Sequence, residues 1–305
     1  MTSSILITGA TTGIGFATAR RLVADGASVL VHGRTQRRAM DATRRLMRAV
    51  GAAVPPERLH PVWGDLARAP ERAALAAMVR ERVARLEVLV HNAAVVPRER
   101  DVSEQGHELQ FEVNHLAVVH LTALLLDHLI ASGPARIVIV ASQVERDGRI
   151  DFDDLHATRR YDPYVAYRQS KLANVLFTRA LARRLPPEVA TVNSLHPGIA
   201  GTKVLNSLIG RPRWLAPWTE YREPTADDAT STLLHVIREP GVAAVTGGYF
   251  KDAVLAAPSP KGQDDEVGER LWAESNRLLG LSDDWVTEAL MRARNASVGP
   301  PRQYP

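Results

Sequence analysis

Apolar positions along the chain fall into two kinds of run. The first kind is short and nearly continuous: Ser4–Ile7, Ser28–His32, Leu59–Trp63, Val88–His91, Arg136–Val140, Thr191–Leu195, and Tyr249–Phe250 with its neighbours. Continuous rather than alternating apolar residues suit strands covered on both faces, as in a parallel sheet. The second kind spaces its apolar residues at helical intervals over Ile14–Ala24, Arg37–Val50, Glu71–Ala84, Glu104–Ala131, Tyr164–Leu185 and Ala226–Arg238. The two kinds alternate. That order predicts a doubly wound α/β fold, with about seven parallel strands and helices on both faces. No repeat and no low-complexity linker interrupts it, so residues 1–294 read as a single domain. Two segments break the rhythm. Residues 199–224 are loop-like and carry Trp214 and Trp218, and residues 262–294 read as a C-terminal helical extension. Residues 295–305, rich in Pro and polar side chains, read as a flexible tail.

Composition narrows the function classes. The 305 residues are 45% hydrophobic, enough for a large core. The net charge of +4 comes from basic and acidic residues that are interspersed, so no nucleic-acid surface is expected. The absence of Cys excludes disulfides, thiolate chemistry and Cys-based metal sites. The 10 His are scattered without ligand spacing, and no metal is expected. The chain runs directly into a strand-like segment without the basic start of a secretion signal, and no unbroken apolar run reaches membrane-spanning length. A soluble, cytoplasmic protein without a membrane span is the expectation.

The first strand-like run leads into Thr8-Gly9-Ala10-Thr11-Thr12-Gly13-Ile14-Gly15 and then a helix. Glycines between a strand and a helix N-terminus let the backbone approach a pyrophosphate, and the helix end supplies free N–H groups. Without that context the same glycines read as a structural turn. After the second run comes His32-Gly33-Arg34, with Arg37 and Arg38 behind it and no carboxylate before Asp41. A carboxylate there would bind a ribose 2′-hydroxyl, whereas an arginine fork pairs with a 2′-phosphate. The cofactor expected is therefore NADP(H), with Arg34 as the main phosphate contact and Arg38 as a second. The competing reading, surface arginines at a helix start, fits Arg37 better than Arg34.

Tyr167 and Lys171 stand four apart in a helical pattern and so share one helix face. A neighbouring cation is expected to lower the phenol's pKa and make it a general acid/base. Lysine is scarce here: of 38 basic residues only Lys171, Lys203, Lys251 and Lys261 are lysines. Ser142 follows the apolar run of the fifth strand, at the sheet edge where ligands of open α/β folds bind. Asn114 lies inside a helical pattern that Asn does not favour, which suggests a local role. Each residue alone also has an ordinary structural reading.

Taken together, Thr-Gly-x-x-x-Gly-Ile-Gly, Asp65-Leu66, Asn92-Ala93-Ala94, Asn114, Ser142, Tyr167, Lys171 and Pro197-Gly198 occur in the order of the short-chain dehydrogenase/reductase family. The sequence resembles that family over roughly residues 3–252. Gly148–Leu155, Tyr167–Phe177, His196-Pro197-Gly198, Leu271-Trp272 and Leu278–Leu281 are similar to its retinol-dehydrogenase and WW-domain-oxidoreductase branch. The resemblance implies a Rossmann-type fold and a set of roles. Tyr167 would be the acid/base, and Lys171 would lower its pKa and hold the nicotinamide ribose. Ser142 would position the substrate oxygen, and Asn114 would support a water-linked proton relay. Asp65 and Leu66 would meet the adenine, and Asn92, Ala93 and Ala94 the adenosine. Pro197, Gly198 and Thr202 would pack at the nicotinamide end. Asp65, Asn92 and Pro197 carry roles by resemblance alone.

The sequence departs from the family at Ala94, where glycine is usual, and at Ala141-Ser142, where two serines are usual. Gln143 and Glu145 stand where a greasy substrate would call for apolar residues, which argues against retinoid-like substrates. The substrate pocket is expected to use Gln143, Glu145, Trp214 and the segment around Pro97–Arg100, with the long 199–224 loop as a lid. The expected activity is NADP(H)-dependent reduction of a small-molecule ketone or aldehyde, or oxidation of the corresponding alcohol. A non-redox enzyme (cyclase or isomerase) or a cofactor-sensing binding protein on the same fold is the alternative. The helices at Glu104–Ala131 and Tyr164–Leu185 pair subunits in members of the family, so a homodimer is a further expectation, unless the C-terminal extension blocks it.

Overall fold

A computed structural model describes residues 3–52, 54–198 and 228–297. The strands are β1 (Ser4–Ile7), β2 (Ser28–Gly33), β3 (Leu59–Trp63), β4 (Val88–His91), β5 (Ala135–Val140), β6 (Ala190–His196), β7 (Tyr249–Lys251) and β8 (Val254–Ala256). They form one sheet in the order β3-β2-β1-β4-β5-β6-β7-β8. The helices are α1 (Gly13–Ala24), α2 (Gln36–Val50), α3 (Ala69–Arg82), α4 (Leu109–Ala131), α5 (Pro163–Arg184), α6 (Ser231–Arg238), α7 (Asp265–Leu279) and α8 (Trp285–Ser297). The apolar runs of β1, β2, β4, β5 and β6 are almost wholly buried because a packed layer lies on each face. Seven strands are parallel, as expected. The eighth, β8, is antiparallel to β7 and was not legible. The turn between them, Asp252-Ala253, holds both residues in the left-handed region (φ 53° and 60°). Chain order reverses between β1 and β4, which opens a crevice at the carboxyl ends of the strands.

The expected helix over Glu104–Ala131 begins five residues late. Gly106 turns the chain (φ 84°), and the Glu108 carboxylate accepts the Gln110 and Phe111 amides at 2.9 and 2.8 Å, which starts α4 at Leu109. Residues Glu112–Leu116 widen into a π turn. Its Glu112 is fully buried, ion-paired with Arg72 of α3, and accepts from His107 Nδ1 at 2.8 Å. By length and mean hydropathy (1.5) α4 could cross a membrane, yet 67% of its most apolar window is buried inside the molecule, where it forms a core layer.

The C-terminal helices lie against the two longest ones. Trp272 of α7 stacks on Phe177 of α5 and on Trp285 of α8, with ring centroids 5.8 and 5.3 Å apart. Arg179 and Arg183 pair with Asp265, and Arg183 and Arg184 with Glu269. On the other side Arg292 of α8 pairs with Asp127 of α4. The extension thus covers part of the surface of α4 and α5, the two helices named in the homodimer expectation. The expected 199–224 loop, including Thr202 and Trp214, and the end of the expected tail lie outside the described residues; α8 runs to Ser297, past the expected start of that tail at 295.

Candidate active site

At the β1–α1 junction the backbone is folded too tightly for side chains. A Cβ on Gly9 (φ 66°) would stand 2.9 Å from the Ala93 Cα, and one on Gly15 would stand 2.5 Å from Asn92 Nδ2 and 2.7 Å from the Gly9 carbonyl oxygen. Thr8, which the sequence did not single out, organises this junction. Its hydroxyl donates to the Val90 carbonyl and accepts the amides of Asn92 (2.9 Å) and Ala93 (3.1 Å). Asn92 returns the contact by donating Nδ2 to the Thr8 carbonyl at 2.8 Å. Its amide therefore braces the loop as well as facing the cleft. Buried His32 is a second unforeseen brace. Its Nδ1 accepts the Gly9 amide at 3.1 Å and its Nε2 donates to the Gly64 carbonyl at 3.0 Å. Burial holds its pKa down at about 4, so the ring is neutral. Thr12 starts α1 without capping it, and no acidic side chain occupies the first turn. The helix end is left open to an anion.

Arg34 and Arg38 both reach the cleft at this end, whereas Arg37 does not line it. Arg34 Nε lies 4.0 Å from Asp65 Oδ2, with both side chains partly exposed. The Thr35 hydroxyl caps α2 by accepting the Arg38 amide at 3.4 Å. Asp65, Leu66, Ala93 and Ala94 also line the cleft.

The other end is built where β5 meets α5. Asp162 caps α5 by accepting the Tyr164 and Val165 amides (2.8 and 3.0 Å), with Pro163 at the first helical position. One turn later Tyr167 faces the cleft, and Lys171 follows on the same side. Lys171 Nζ donates to the Val140 carbonyl at 2.8 Å and stands 5.5 Å from the Tyr167 ring centre. Ser142 caps the 3₁₀ turn Gln143–Asp147 through a long contact from the Val144 amide (3.5 Å). Gly148 lets that turn sit on α5, since a Cβ there would be 2.7 Å from the Arg168 carbonyl oxygen.

One electrostatic expectation needs correction. The Tyr167 phenol is pushed above its ordinary range, because burial outweighs its hydrogen bond with Ser142; the lysine does not lower it in this arrangement. Burial instead pulls Lys171 down to about 8, where it is still mostly an ammonium at neutral pH. Asn114 lies within the π turn, fully buried. Its Oδ1 accepts the Val95 amide (2.8 Å), and Nδ2 donates to the Val95 carbonyl (3.0 Å) and Ser170 Oγ (3.2 Å). One side-chain donor thus pins the segment after β4 and the other reaches Ser170 of α5.

Gln143 lines the cleft, and its amide donates to His196 Nδ1 at 3.3 Å. Glu145 does not line it. Its carboxylate is turned inward and accepts from the Ser259 amide and hydroxyl at 2.9 and 2.6 Å, so its expected place in the substrate pocket is wrong. Pro197 and Gly198 (φ 90°) close the β6 end. Among the described residues no group of three or more His, Cys, Asp or Glu gathers as a metal site.

One cleft of about 1090 Å³ runs from Arg34 and Arg38 past Gly9 and Gly13 to Ser142, Tyr167 and Lys171; Asn114 and Glu145 lie outside its lining. Its dimensions and its donors fit a dinucleotide. The glycine cradle has no room for Cβ atoms, the α1 end is uncapped, and arginines flank one extremity while the Tyr/Lys pair flanks the other. The short chain dehydrogenase family profile matches residues 3–211. The chain belongs to the short-chain dehydrogenase/reductase family. Within it the chain falls in a retinol-dehydrogenase-like branch: it is 39% identical to human retinol dehydrogenase 13, over 93% of this chain and 87% of that protein. It is 33% identical to the WW domain-containing oxidoreductase of Pongo abelii, over 90% and 67%. Among solved structures, an uncharacterised protein from Mycobacterium paratuberculosis superposes with a TM-score of 0.73 at 27% identity, over 92% of this chain and 94% of that one. Actinorhodin polyketide ketoreductase with NADPH does so at 0.63 and 27%, over 82% and 95%. Family membership makes this protein an oxidoreductase that uses a nicotinamide dinucleotide on a small-molecule substrate.

Proposed function

We propose that the protein is an NADP(H)-dependent reductase of ketones or aldehydes, with Tyr167 as its general acid. The observation that carries this reading is the placement of Tyr167, Ser142 and Lys171 around one end of a cleft whose other end holds Arg34 and Arg38. The bound coenzyme would supply the hydride. The chain's own residues do the rest. Ser142 and Tyr167 hold the carbonyl oxygen from two sides, which orients the carbon and stabilises charge as it develops on oxygen. The phenol, kept protonated by burial, is ready to donate its proton to that oxygen. The Lys171 ammonium, held on the Val140 carbonyl 5.5 Å from the phenol ring centre, would take the nicotinamide ribose. Asn114 keeps the segment after β4 in place beside them. At the opposite extremity Arg34, with Arg38, would take the 2′-phosphate. The relatives include retinol dehydrogenases, but here Gln143, Arg146 and Asp147 line the substrate end, which favours a substrate more polar than a retinoid.

The test is the Tyr167→Phe variant, assayed at 340 nm against retinaldehyde and a panel of polar ketones and aldehydes. Turnover should fall by about 10²-fold or more while NADPH affinity is retained. Unchanged turnover would overturn the assignment.

A further inference from the structure

The C-terminal segment reaches back to the active site at two points. Ser259 donates both its amide and its hydroxyl to the buried Glu145 carboxylate, and its hydroxyl oxygen in turn accepts the Gly262 amide at 3.1 Å. Gly262 is wedged there: a Cβ would lie 3.0 Å from Val175 Cγ1 and 3.1 Å from Glu145 Oε2. Lys261 Nζ donates to the Gly148 carbonyl at 2.9 Å. The Ser142-capped turn is therefore gripped from residues 259–262 at its middle, through Glu145, and just past its C-terminal end, through Gly148. Farther on, buried His115 donates Nδ1 toward Asn174 Oδ1 (3.4 Å) and accepts the Ser275 hydroxyl on Nε2 at 2.9 Å, next to Asn114 in the π turn.

We propose that Glu145 and Ser259 are positioning residues for Ser142, and that the segment after β8 is thereby a working part of the active site. The proposal rests on the role given to Ser142 above. Glu145 stands three residues beyond Ser142, and its amide donates to the Ser142 carbonyl at 3.1 Å. A carboxylate buried to 1% exposure is costly unless donors converge on it. Here two do, one at 2.6 Å, the length of a charge-assisted hydrogen bond. Packing alone would be served by an apolar side chain. The carboxylate adds direction: it fixes the turn, and the turn fixes where the Ser142 hydroxyl lies relative to Tyr167. Misplacing such a group by a fraction of an ångström slows the chemical step without weakening coenzyme binding.

The experiment uses the full chain with Ser259→Ala, Ser259→Thr and Glu145→Gln. In Ser259→Ala, kcat for the best carbonyl substrate of the panel should fall about tenfold, with KM and the NADPH Kd within about twofold of wild type. Ser259→Thr, which keeps the hydroxyl, should recover most of the loss. Glu145→Gln should lower kcat in the same direction, and it serves if the alanine variant does not fold. Amide hydrogen exchange supplies a readout independent of turnover: residues 141–148 should exchange about tenfold faster in Ser259→Ala, with β1 unchanged. A kcat within twofold of wild type, or faster exchange confined to residues 258–263, would overturn the proposal. If the wild type reduces no carbonyl, the functional reading fails, and the exchange pattern still decides whether Ser259 holds the turn.

Discussion

His32 and Gly9 are joined by a hydrogen bond of 3.1 Å in which the ring nitrogen accepts the backbone amide. It ties the end of β2 to the glycine loop, and the opposite ring nitrogen ties both to Gly64. Removing the ring in His32→Ala leaves a buried amide and a buried carbonyl without partners, at a cost of about 1–2 kcal/mol. Coenzyme binding should weaken roughly five- to thirtyfold. Fluorescence titration with NADPH measures this, and an unchanged Kd would show that the loop holds its shape without the histidine.

Burial also shapes the acid response. His32 and His115 are held down at about 4 and His91 at about 3, all against an ordinary 6.5. Above pH 6.5 both folded and unfolded chains carry these rings neutral. As pH falls below 6.5 the unfolded chain takes up protons that the folded chain refuses, so stability drops by about 1.4 kcal/mol per ring per pH unit until the folded pKa is reached. Urea unfolding midpoints should therefore decline between pH 6.5 and 4.5, before most carboxylates titrate. A midpoint flat over that window would mean that the rings are already charged in the native state.

Arg34→Ala bears on coenzyme choice. Loss of a guanidinium from a 2′-phosphate removes charge-assisted hydrogen bonds worth about 1.5–3 kcal/mol. NADPH affinity should fall about tenfold or more while NADH affinity stays the same. Equal losses for both nucleotides would place Arg34 in general support of the loop, through its proximity to Asp65.

Gly148→Ala probes the seam between the Ser142 turn and α5. The backbone there is not in the left-handed region, so the penalty is steric: the methyl would meet the Arg168 carbonyl oxygen at 2.7 Å and Leu172 Cβ at 2.9 Å. Overpacking of this kind costs about 1–3 kcal/mol. The melting temperature should fall, and kcat should fall further than coenzyme affinity, because Tyr167 and Lys171 flank the point of contact. A variant with wild-type kcat would show that the seam tolerates displacement.

The sheet was legible because strands buried on both faces must be apolar throughout, and Ile5–Ile7, Val29–Val31 and Ile137–Val140 are. β8 was not, because Val254 and Leu255 are exposed on an edge and follow β7 after two turn residues. The start of α4 was misplaced because the helical spacing continues upstream of Glu108, while the turn that excludes it depends on Gly106 and on a carboxylate cap. In the site, glycine spacing and the Tyr/Lys interval carried the cleft-facing residues. Glu145 was misread because a charged residue five positions past the end of a strand is ordinarily solvated, and its burying partner comes 114 residues later. The bracing roles of Thr8 and His32 were not legible for a similar reason: their partners are backbone groups far along the chain, which leave no mark on residue type.

That 114-residue separation has a temporal side. A ribosome adding about 5–20 residues per second takes on the order of 6–23 s to travel from Glu145 to Ser259. During that interval β1 through β5 and their helices can assemble, while the carboxylate that locks the Ser142 turn waits for its donors. A chain that folds as it emerges would complete the nucleotide cradle before the reacting end is set.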